Sequence, residues 1–450
     1  MKHSWSKTVF PIAAIFSFRM LGLFLLIPVF SIYAENLQNA TPALVGLALG
    51  IYGLAQGLLQ MPFGMLSDKV GRKPMIAIGL LLFALGSLLG ALTNSIYGMI
   101  LARSLQGTGA IGSVLIALLA DLTPDDQRTK SMAVIGMTIG TSFSLAMVVS
   151  PALTHHFGLS GIFYLTTLLA IAGIILLYLV IPKPVNERFH IDSETNPALL
   201  KNVISNVQLQ LLNIGIFCQH FILTATFFAI PFILKKQVEQ GHLSQQWHFY
   251  LPLMIISFIL MIPFIILAEK KKRMKGVFLS SVLIMAMAQL LLAYTSQHWV
   301  SLCVLMLIYF VAFNILEAAL PSLVSKQANP HSKGTAMGIY STSQFLGLFI
   351  GGALAGVLYQ WNSSQGIFVT NAIIGIIWLL VSFSMKSQAS FSTLVLPAPW
   401  AEKNEPIINK LLNIKGVIEV AFAEDERVIY LRVDRERYLA GSAEKIIHHG

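Results

Sequence analysis

Charged side chains and two glycines share a short loop after the second long apolar run of the sequence. The loop contains Asp68, Arg72 and Lys73, with Gly64 and Gly71 on either side of the aspartate. The glycines permit a tight turn and the close packing of helices. Charges at the edge of a membrane can pair with one another or with the ends of neighbouring helices. These residues are therefore candidates for holding helix ends together, and an ordinary loop with charged anchors is the alternative.

Three ionisable side chains, Arg19, Arg103 and Glu317, lie inside long apolar runs. A charge in the membrane is expensive, so such residues usually face a cavity or one another and are functional candidates by default. Glu317 is the only carboxylate well inside a run, and we expect it to bind and release a proton. The alternative is a permanent ion pair with Lys326 or Lys333. For Arg103, the alternative is a structural arginine that is satisfied by backbone carbonyl groups.

Uncharged polar residues also lie inside the apolar runs: Gln106, Gln219, His220, Gln289, Asn314 and Gln344. Such residues either line a polar cavity or tie neighbouring helices together by hydrogen bonds. His220 and Gln344 are candidates for the cavity of the second half. His220 is a candidate for carrying a proton, with a hydrogen-bonded core residue as the alternative.

The elements that position these residues follow from the composition. Of 450 residues, 56% are hydrophobic and only 11% are charged, whereas a soluble domain carries about 25% charge. Runs of about 20 apolar residues, the length of a helix that crosses the hydrocarbon, recur twelve times. They lie near residues 9–34, 42–66, 75–93, 96–119, 131–154, 160–181, 207–234, 248–268, 276–295, 298–323, 335–358 and 364–385. A polar break at 182–205 separates six from six, which indicates two related halves around a midplane site.

Loop charges predict the orientation. Eighteen Lys and Arg residues fall on one side of the predicted membrane and two fall on the other. The positive-inside rule therefore predicts that both termini are in the cytoplasm. We expect a multi-pass protein of the inner membrane of the cell. The net charge of +10 is explained by this topology, so we expect no nucleic acid as a partner. The expected partners are the lipid bilayer and a small-molecule substrate.

Several chemistries lack their sequence signature. The chain has two cysteines, Cys218 and Cys303, both within apolar runs, and no His/Cys spacing typical of zinc. No glycine-rich phosphate-binding string is present, and no nucleophile–base constellation is apparent. We therefore expect no cofactor, no metal and no enzymatic activity, and an ion gradient, first of all of protons, as the source of energy.

The string from Gly64 to Lys73 resembles the G-x-L-[AS]-D-[RK]-x-G-R-[RK] loop of the major facilitator superfamily. The resemblance extends over residues 8–386 and implies an all-α bundle of 6+6 transmembrane helices. It implies that Asp68 pairs with the start of span eleven near Gly334 in the outward-open state, and that Arg72 pairs with Asp121. Arg103 and Gln106 are similar to the family's R-x-x-Q-G-x-G motif, which is associated there with proton coupling. Span five has Ser150-Pro151 in place of the glycine-rich antiporter motif, so export is only weakly favoured.

The last part of the chain differs in composition, with 17 charged residues among residues 387–450. Its pattern predicts a strand at Ser392–Leu396, a helix at Pro406–Ile414, a hairpin of Val417–Ala423 and Arg427–Asp434, and a helix at Ala440–His448. This βαββα order resembles ferredoxin-like domains, without their metal-binding CxxC. A regulator or a second copy of the chain are candidate partners for this tail.

A major facilitator bundle with such a tail is similar to the YajR-type transporters of Gram-negative bacteria. The predicted divisions are an N-terminal six-helix half (1–181), a cytoplasmic linker (182–205), a C-terminal six-helix half (206–386) and a soluble cytoplasmic domain (387–450). The expected function is alternating-access transport of a small solute, as proton-coupled efflux of a drug-like compound or metabolite. A proton-coupled importer, and a membrane sensor or scaffold that uses the tail, are the alternatives.

Overall fold

The structure is a computed structural model of the chain. It describes residues 5–123, 125–182, 197–270, 273–329, 332–385, 391–398, 405–423, 428–434 and 437–449. The predicted acidic turn at 424–426 and most of the linker lie outside the described residues. Of the linker, the structure gives a 3₁₀ turn and a short helix, α8 (Leu200–Ile204).

The first half consists of seven helices: α1 (Trp5–Phe24), α2 (Phe30–Ala34), α3 (Pro42–Val70), α4 (Arg72–Leu92), α5 (Ile96–Thr108), α6 (Gly112–Leu122) and α7 (Asp125–Leu179). The second half consists of five: α9 (Val207–Glu239), α10 (Trp247–Lys270), α11 (Met274–Thr295), α12 (Trp299–Gln327) and α13 (Lys333–Ser382). Within the described residues, nine helical segments are long and apolar enough to cross a membrane, and Thr8–Phe24 is a shorter apolar helix.

Two of these helices are long enough to hold two spans each. The helix α7 breaks at Gly158, whose φ of 64° is easily adopted only by glycine. The helix α13 breaks at Asn362 and Ser363. With these breaks, the described part of the chain contains the predicted twelve spans. The predicted fold class, a 6+6 bundle with a small α+β domain, is confirmed.

Two spans are discontinuous, which the sequence analysis did not anticipate. Span one is interrupted between α1 and α2, where Pro28 cannot donate a helical hydrogen bond, and the hydroxyl of Ser150 donates to the freed carbonyl of Leu25. Span four is interrupted between Thr108 and Gly112. Interrupted helices in transporters expose backbone groups near the midplane, where binding sites form.

The ends of α3, α6, α10 and α12 and the starts of α4, α7, α11 and α13 lie at one end of the bundle, here called the basic side, and the other end is the opposite side. Helix α3 packs against α13 through small residues over their segments toward the opposite side. A Cβ added to Gly50 would overlap the carbonyl oxygen of Phe349, and one on Gly352 would lie 2.9 Å from the nitrogen of Gly50. The hydroxyl of Thr342 donates to the carbonyl oxygen of Gly57 at 3.3 Å.

Further contacts join the halves at the opposite side and at mid-depth. Lys235 Nζ lies 3.4 Å from Glu35 Oε1 at the opposite side, where both side chains are partly exposed. At mid-depth, the ring of Phe143 in α7 stacks on the ring of Phe313 in α12, with centroids 6.2 Å apart. These contacts close the bundle toward the opposite side.

The tail is a three-stranded antiparallel sheet of β1 (Phe391–Pro397), β2 (Val417–Ala423) and β3 (Val428–Asp434), in the order β1-β3-β2. Helices α14 (Glu405–Leu412) and α15 (Ser442–His449) contribute Leu411 and Ala443 to a core with β3. The predicted βαββα order is therefore present and is consistent with a ferredoxin-like domain. The strands and helices begin and end within three residues of the predicted bounds.

The glycine contact between the halves leads to a test. Because a methyl group at Gly50 would overlap the backbone of Phe349, Gly50→Ala should lower the melting temperature of the purified protein, since overpacking costs about 1–3 kcal/mol. Gly136→Ala is the matched control, because its new methyl group meets open space and the substitution should be neutral or stabilising. Equal melting temperatures for the two variants would contradict the packing described.

Candidate functional site

Glu317 in α12 is held by two side chains of α9. Gln219 Nε2 donates to Glu317 Oε2 at 2.9 Å, and His220 Nε2 lies 3.8 Å from the same oxygen. Gln219 is fully buried, whereas the Glu317 side chain is 37% exposed. The partners of the carboxylate are therefore in α9, and the alternative pairing with Lys326 or Lys333 is not the one that the structure has.

The exposed part of Glu317 faces the gap between the halves. Phe313 precedes Glu317 by one helical turn and shares its face of α12, and Phe313 is the residue that stacks on Phe143 of the first half. Phe143 also contacts Phe24 of α1 edge-to-face, with ring centroids 5.2 Å apart. The carboxylate thus lies one turn closer to the basic side than the aromatic contact that joins the halves.

His220 links Glu317 to α13. Its Nε2 is 2.7 Å from Nε2 of Gln344, which is hydrogen-bond distance. Glu317, His220 and Gln344, which the sequence analysis chose from three separate spans, belong to one cluster. Gln219 is its fourth member and makes the shortest contact to the carboxylate.

Arg19 in the first half reaches the break in span four. Its Nε donates to the carbonyl oxygen of Gly109 at 3.2 Å, and Nη2 donates to Gln56 Oε1. The amide of Gln56 in turn lies 3.4 Å from Gln60 Oε1. Arg19 is 1% exposed, and its Nη1 has no partner among the described residues. The arginine therefore adds a second hydrogen bond to the carbonyl of Gly109, which also accepts from the backbone N–H of Ile111 at 2.9 Å.

Arg103 is buried in a second polar cluster of the first half. Its Nη1 donates to Gln106 Oε1 at 2.7 Å, and Gln106 Nε2 donates to Ser87 Oγ at 2.8 Å. Its guanidinium lies over the ring of Tyr52, 4.8 Å from the centroid, a favourable cation–π geometry. Arg103 is thus held by a side-chain amide and an aromatic face rather than by backbone carbonyls. Within the described residues, neither Arg19 nor Arg103 pairs with a carboxylate.

The charged loop between α3 and α4 forms a buried network. Arg72 Nε lies 3.2 Å from Asp121 Oδ2, and both side chains are almost completely buried. Its Nη1 donates to Ser67 Oγ at 2.6 Å and pairs with Asp68. Gly71 allows the turn with a φ of 103°. The predicted contact between Arg72 and Asp121 is present, and removing one partner of a buried pair costs about 3–5 kcal/mol.

Asp68 does not contact the start of α13 in this conformation. Its carboxylate pairs with Arg72 of its own half, while Gly334 is buried near the first turn of α13. The predicted contact of Asp68 with Gly334 belongs to the state that is open at the opposite side, and the structure has that side closed. The contact stays a prediction for that other state.

Two lysines occupy equivalent places in the halves. Lys73 Nζ donates to the carbonyl of Leu177 at 3.0 Å and to that of Ile181, at the end of span six. Lys275 Nζ donates to the carbonyls of Phe383 and Met385 at 3.0 and 2.5 Å, at the end of span twelve. The sequence analysis missed Lys275, because it is one of several basic residues in its loop.

The tail contacts the basic side through Arg432 in β3. Its Nη1 donates to Asn329 Oδ1 at 3.1 Å, and its Nη2 lies 3.5 Å from the carbonyl oxygen of Lys326. This carbonyl lies in the last turn of α12, which is the negative end of that helix. Burial raises the pKa of nearby Glu419, and the charge of Arg432 acts in the opposite direction. The tail is thus attached to the helix that carries Glu317.

No group of three or more His, Cys, Asp or Glu residues is placed to hold a metal ion within the ranges that the structure describes. The described site consists of ionisable and hydrogen-bonding side chains. Twelve spans in two halves, with ionisable groups near the midplane, define the class: a polytopic membrane transporter.

The chain belongs to the Major Facilitator Superfamily, whose family model matches residues 12–274 and 212–417. It is 42% identical over 430 residues to the inner membrane transport protein YajR of Escherichia coli (strain K12), which covers 95% of this chain and 94% of that one. The quinolone resistance protein NorA of Staphylococcus aureus (strain COL) is 24% identical over 368 residues, 78% of this chain and 89% of NorA. The crystal structure of a mutant of the nucleoside transporter NupG has a TM-score of 0.68 at 17% identity, covering 84% of this chain and 99% of NupG, and shows the same fold. The predicted family and its YajR-type subgroup are confirmed.

The equivalence of the two lysines can be tested by stability. Lys275→Met and Lys73→Met each remove a cation from the end of a helix, where it contributes about 0.3–2 kcal/mol, so both should lower the melting temperature. Lys69→Met is the control, because Lys69 also lies in a last helical turn, that of α3, but has an exposed side chain. A Lys275→Met protein as stable as Lys69→Met would contradict a role for Lys275 at the end of span twelve.

Proposed function

We propose that the protein is a secondary active transporter that exports a small solute across the bacterial inner membrane in exchange for protons, with both termini in the cytoplasm. The observation that carries this proposal is the carboxylate of Glu317, at mid-depth between the halves and hydrogen-bonded to Gln219. Placing a titratable group at that depth in a membrane costs free energy, so such a group is a functional candidate by default. The excess of Lys and Arg in the loops of the basic side supports a cytoplasmic location for that side.

In the proposed cycle, Glu317 alternates between a proton and the solute. The described conformation is closed toward the periplasm, so cytoplasmic solute would reach Glu317 and displace its proton into the cytoplasm. The halves would then rock, and Asp68 would exchange Arg72 for the positive start of α13 near Gly334. Protonation of Glu317 from the periplasm would release the solute on that side and return the carrier. The aromatic rings of Phe24, Phe143 and Phe313 suit a solute with an apolar body.

The buried arginines of the first half fit a supporting role in this cycle. Arg19 and Arg103 place two positive charges in the membrane without carboxylate partners among the described residues. Such charges influence when a nearby group takes up a proton. We propose that they bias Glu317 toward releasing its proton when the solute binds.

Export is favoured over import by the relatives rather than by the geometry. The name of NorA describes quinolone resistance, which is consistent with efflux by that protein. The direction is distinguished in proteoliposomes: an exporter accumulates solute in inside-out vesicles that are acidic inside, whereas a symporter needs the outer solution to be acidic. Candidate solutes come from a thermal-shift screen that includes quinolones, since a ligand of the native state raises the melting temperature.

Glu317→Gln tests the coupling. It should reduce transport driven by a proton gradient roughly tenfold or more, because an amide cannot exchange a proton. It should retain solute exchange between equal concentrations without a gradient. Glu317→Asp is the control that keeps a carboxyl group. Gradient-driven transport by Glu317→Gln at the wild-type rate, with the wild-type pH dependence, would remove Glu317 from the mechanism.

A second candidate function, sensing through the tail, is favoured by the contact of Arg432 with the end of α12. A ligand or partner of the tail that breaks this contact would act on the helix that carries Glu317. Deletion of residues 387–450 discriminates the two functions. A sensor loses its cellular response while transport persists, whereas a transporter with a merely structural tail loses stability or transport and shows no separate response.

A further inference from the structure

Gln219 in α9 connects the carboxylate of Glu317 to the backbone of α12, the helix that carries Glu317. Its single Nε2 group donates to Glu317 Oε2 at 2.9 Å and to the carbonyl oxygen of Phe313 at 3.3 Å. The two acceptors are one helical turn apart on α12. The amide therefore fixes the carboxylate relative to α12 while itself belonging to α9, and it is fully buried.

The carbonyl oxygen of this amide differs from its nitrogen in having no described hydrogen-bond partner. Oε1 of Gln219 is buried and has no hydrogen-bond partner among the described residues. A buried carbonyl oxygen without a donor is unfavourable, and such an atom in a native structure calls for an explanation. The oxygen lies on the same carboxamide group as the nitrogen that binds Glu317.

Glu317 acquires a donor only when it is protonated, because an ionised carboxylate has acceptors alone and a carboxylic acid has one O–H. We propose that Gln219 is the positioning residue for the transported proton: its N–H binds the ionised carboxylate, and its Oε1 accepts the O–H of the protonated acid. This inference rests on the proposed role of Glu317 as the proton carrier. The proton enters and leaves through the exposed part of Glu317, and Gln219 stays neutral in both states.

The other groups around Glu317 do not provide this acceptor. His220 of α9 already uses Nε2 in its contact with Gln344 of α13. The phenols of Tyr309 on α12 and Tyr340 on α13 interact electrostatically with Glu317, and both are weaker acceptors than an amide oxygen. Within the described residues, His220 is the only basic side chain within ion-pair distance of Glu317. Gln219 can therefore satisfy both protonation states, whereas its neighbours satisfy one.

Infrared difference spectroscopy tests this inference on the full-length protein in lipid nanodiscs, with a pH change as the only stimulus. The C=O stretch present at low pH in the wild type and lost in Glu317→Gln belongs to protonated Glu317. In Gln219→Met, which has a similar size and no hydrogen-bonding amide, this band should move to higher wavenumber because the acid loses its partner. Its titration midpoint should rise, because the ionised carboxylate loses a charge-assisted hydrogen bond that is roughly twice as strong as the neutral bond that the acid loses.

Gln289→Met is the matched control. Gln289 is another fully buried glutamine of the second half, bonded to Thr226 and Asn371, so its loss costs stability without touching Glu317. Gln219→Asn, whose side chain is one methylene shorter, replaces Gln219→Met if that variant does not fold and should also displace the band. A Glu317 band at the wild-type wavenumber and midpoint in the Gln219 variants would overturn the inference alone. A spectrum in which Glu317→Gln removes no band would overturn the proton-carrying role of Glu317 as well.

Discussion

Water is absent from the hydrocarbon core of a membrane, so a polar side chain buried there depends on hydrogen-bond partners within the protein. The bond from Gln219 to Glu317 is the point at which this constraint matters most in this bundle, because Glu317 is an ionisable group that faces the space between the halves. His220 from the same helix and Gln344 from α13 complete the surroundings. Helices α9, α12 and α13 are thereby arranged around one carboxyl group, and the charge state of that group affects all three.

The two halves contain different kinds of ionisable group in their membrane spans. The first half buries the cations Arg19 and Arg103, and its first and fourth spans are interrupted. Helices α9 to α12 of the second half continue without a comparable interruption, and this half carries the carboxylate. Positive charge in one half and a titratable acid in the other make the electrostatics of the gap depend on how the halves are arranged. This dependence is what a proton-coupled rocking motion requires.

At the basic side, the two halves share one kind of contact and differ in others. Lys73 and Lys275 each bind the last carbonyls of a half, so both halves retain a cation at the end of their sixth span. The buried pair of Arg72 with Asp121 is described only for the first half. In the second half, Arg432 of the tail contacts Asn329 and the carbonyl of Lys326 at the end of α12. The tail therefore lies beside the second half.

The sequence predicted the spans, the two halves, the tail and most of the polar residues, because apolar length and buried charge are readable one residue at a time. It identified Glu317, His220 and Gln344 but could not show that they meet, because the contacts join distant parts of the chain. For example, 124 residues separate His220 from Gln344. The interruption at Pro28 had a readable signal, whereas the contact of Arg19 with Gly109 depends on tertiary packing. Lys275 could not be told apart from its basic neighbours. The described conformation pairs Asp68 with Arg72, and the contact of Asp68 with the start of α13 is a prediction for another state.

Proton release on solute binding is the most direct test of the central claim, that Glu317 exchanges a proton for the solute. It is measured with a pH-indicator dye in a weakly buffered solution of the purified protein. The account predicts that the wild type releases about one proton per solute bound when the pH lies about one unit or more below the midpoint of the Glu317 titration, where the carboxyl group is almost fully protonated. It also predicts that Glu317→Gln binds the solute without release. Equal release by both proteins, or binding by the wild type without release at any pH between about 5 and 9, would contradict it.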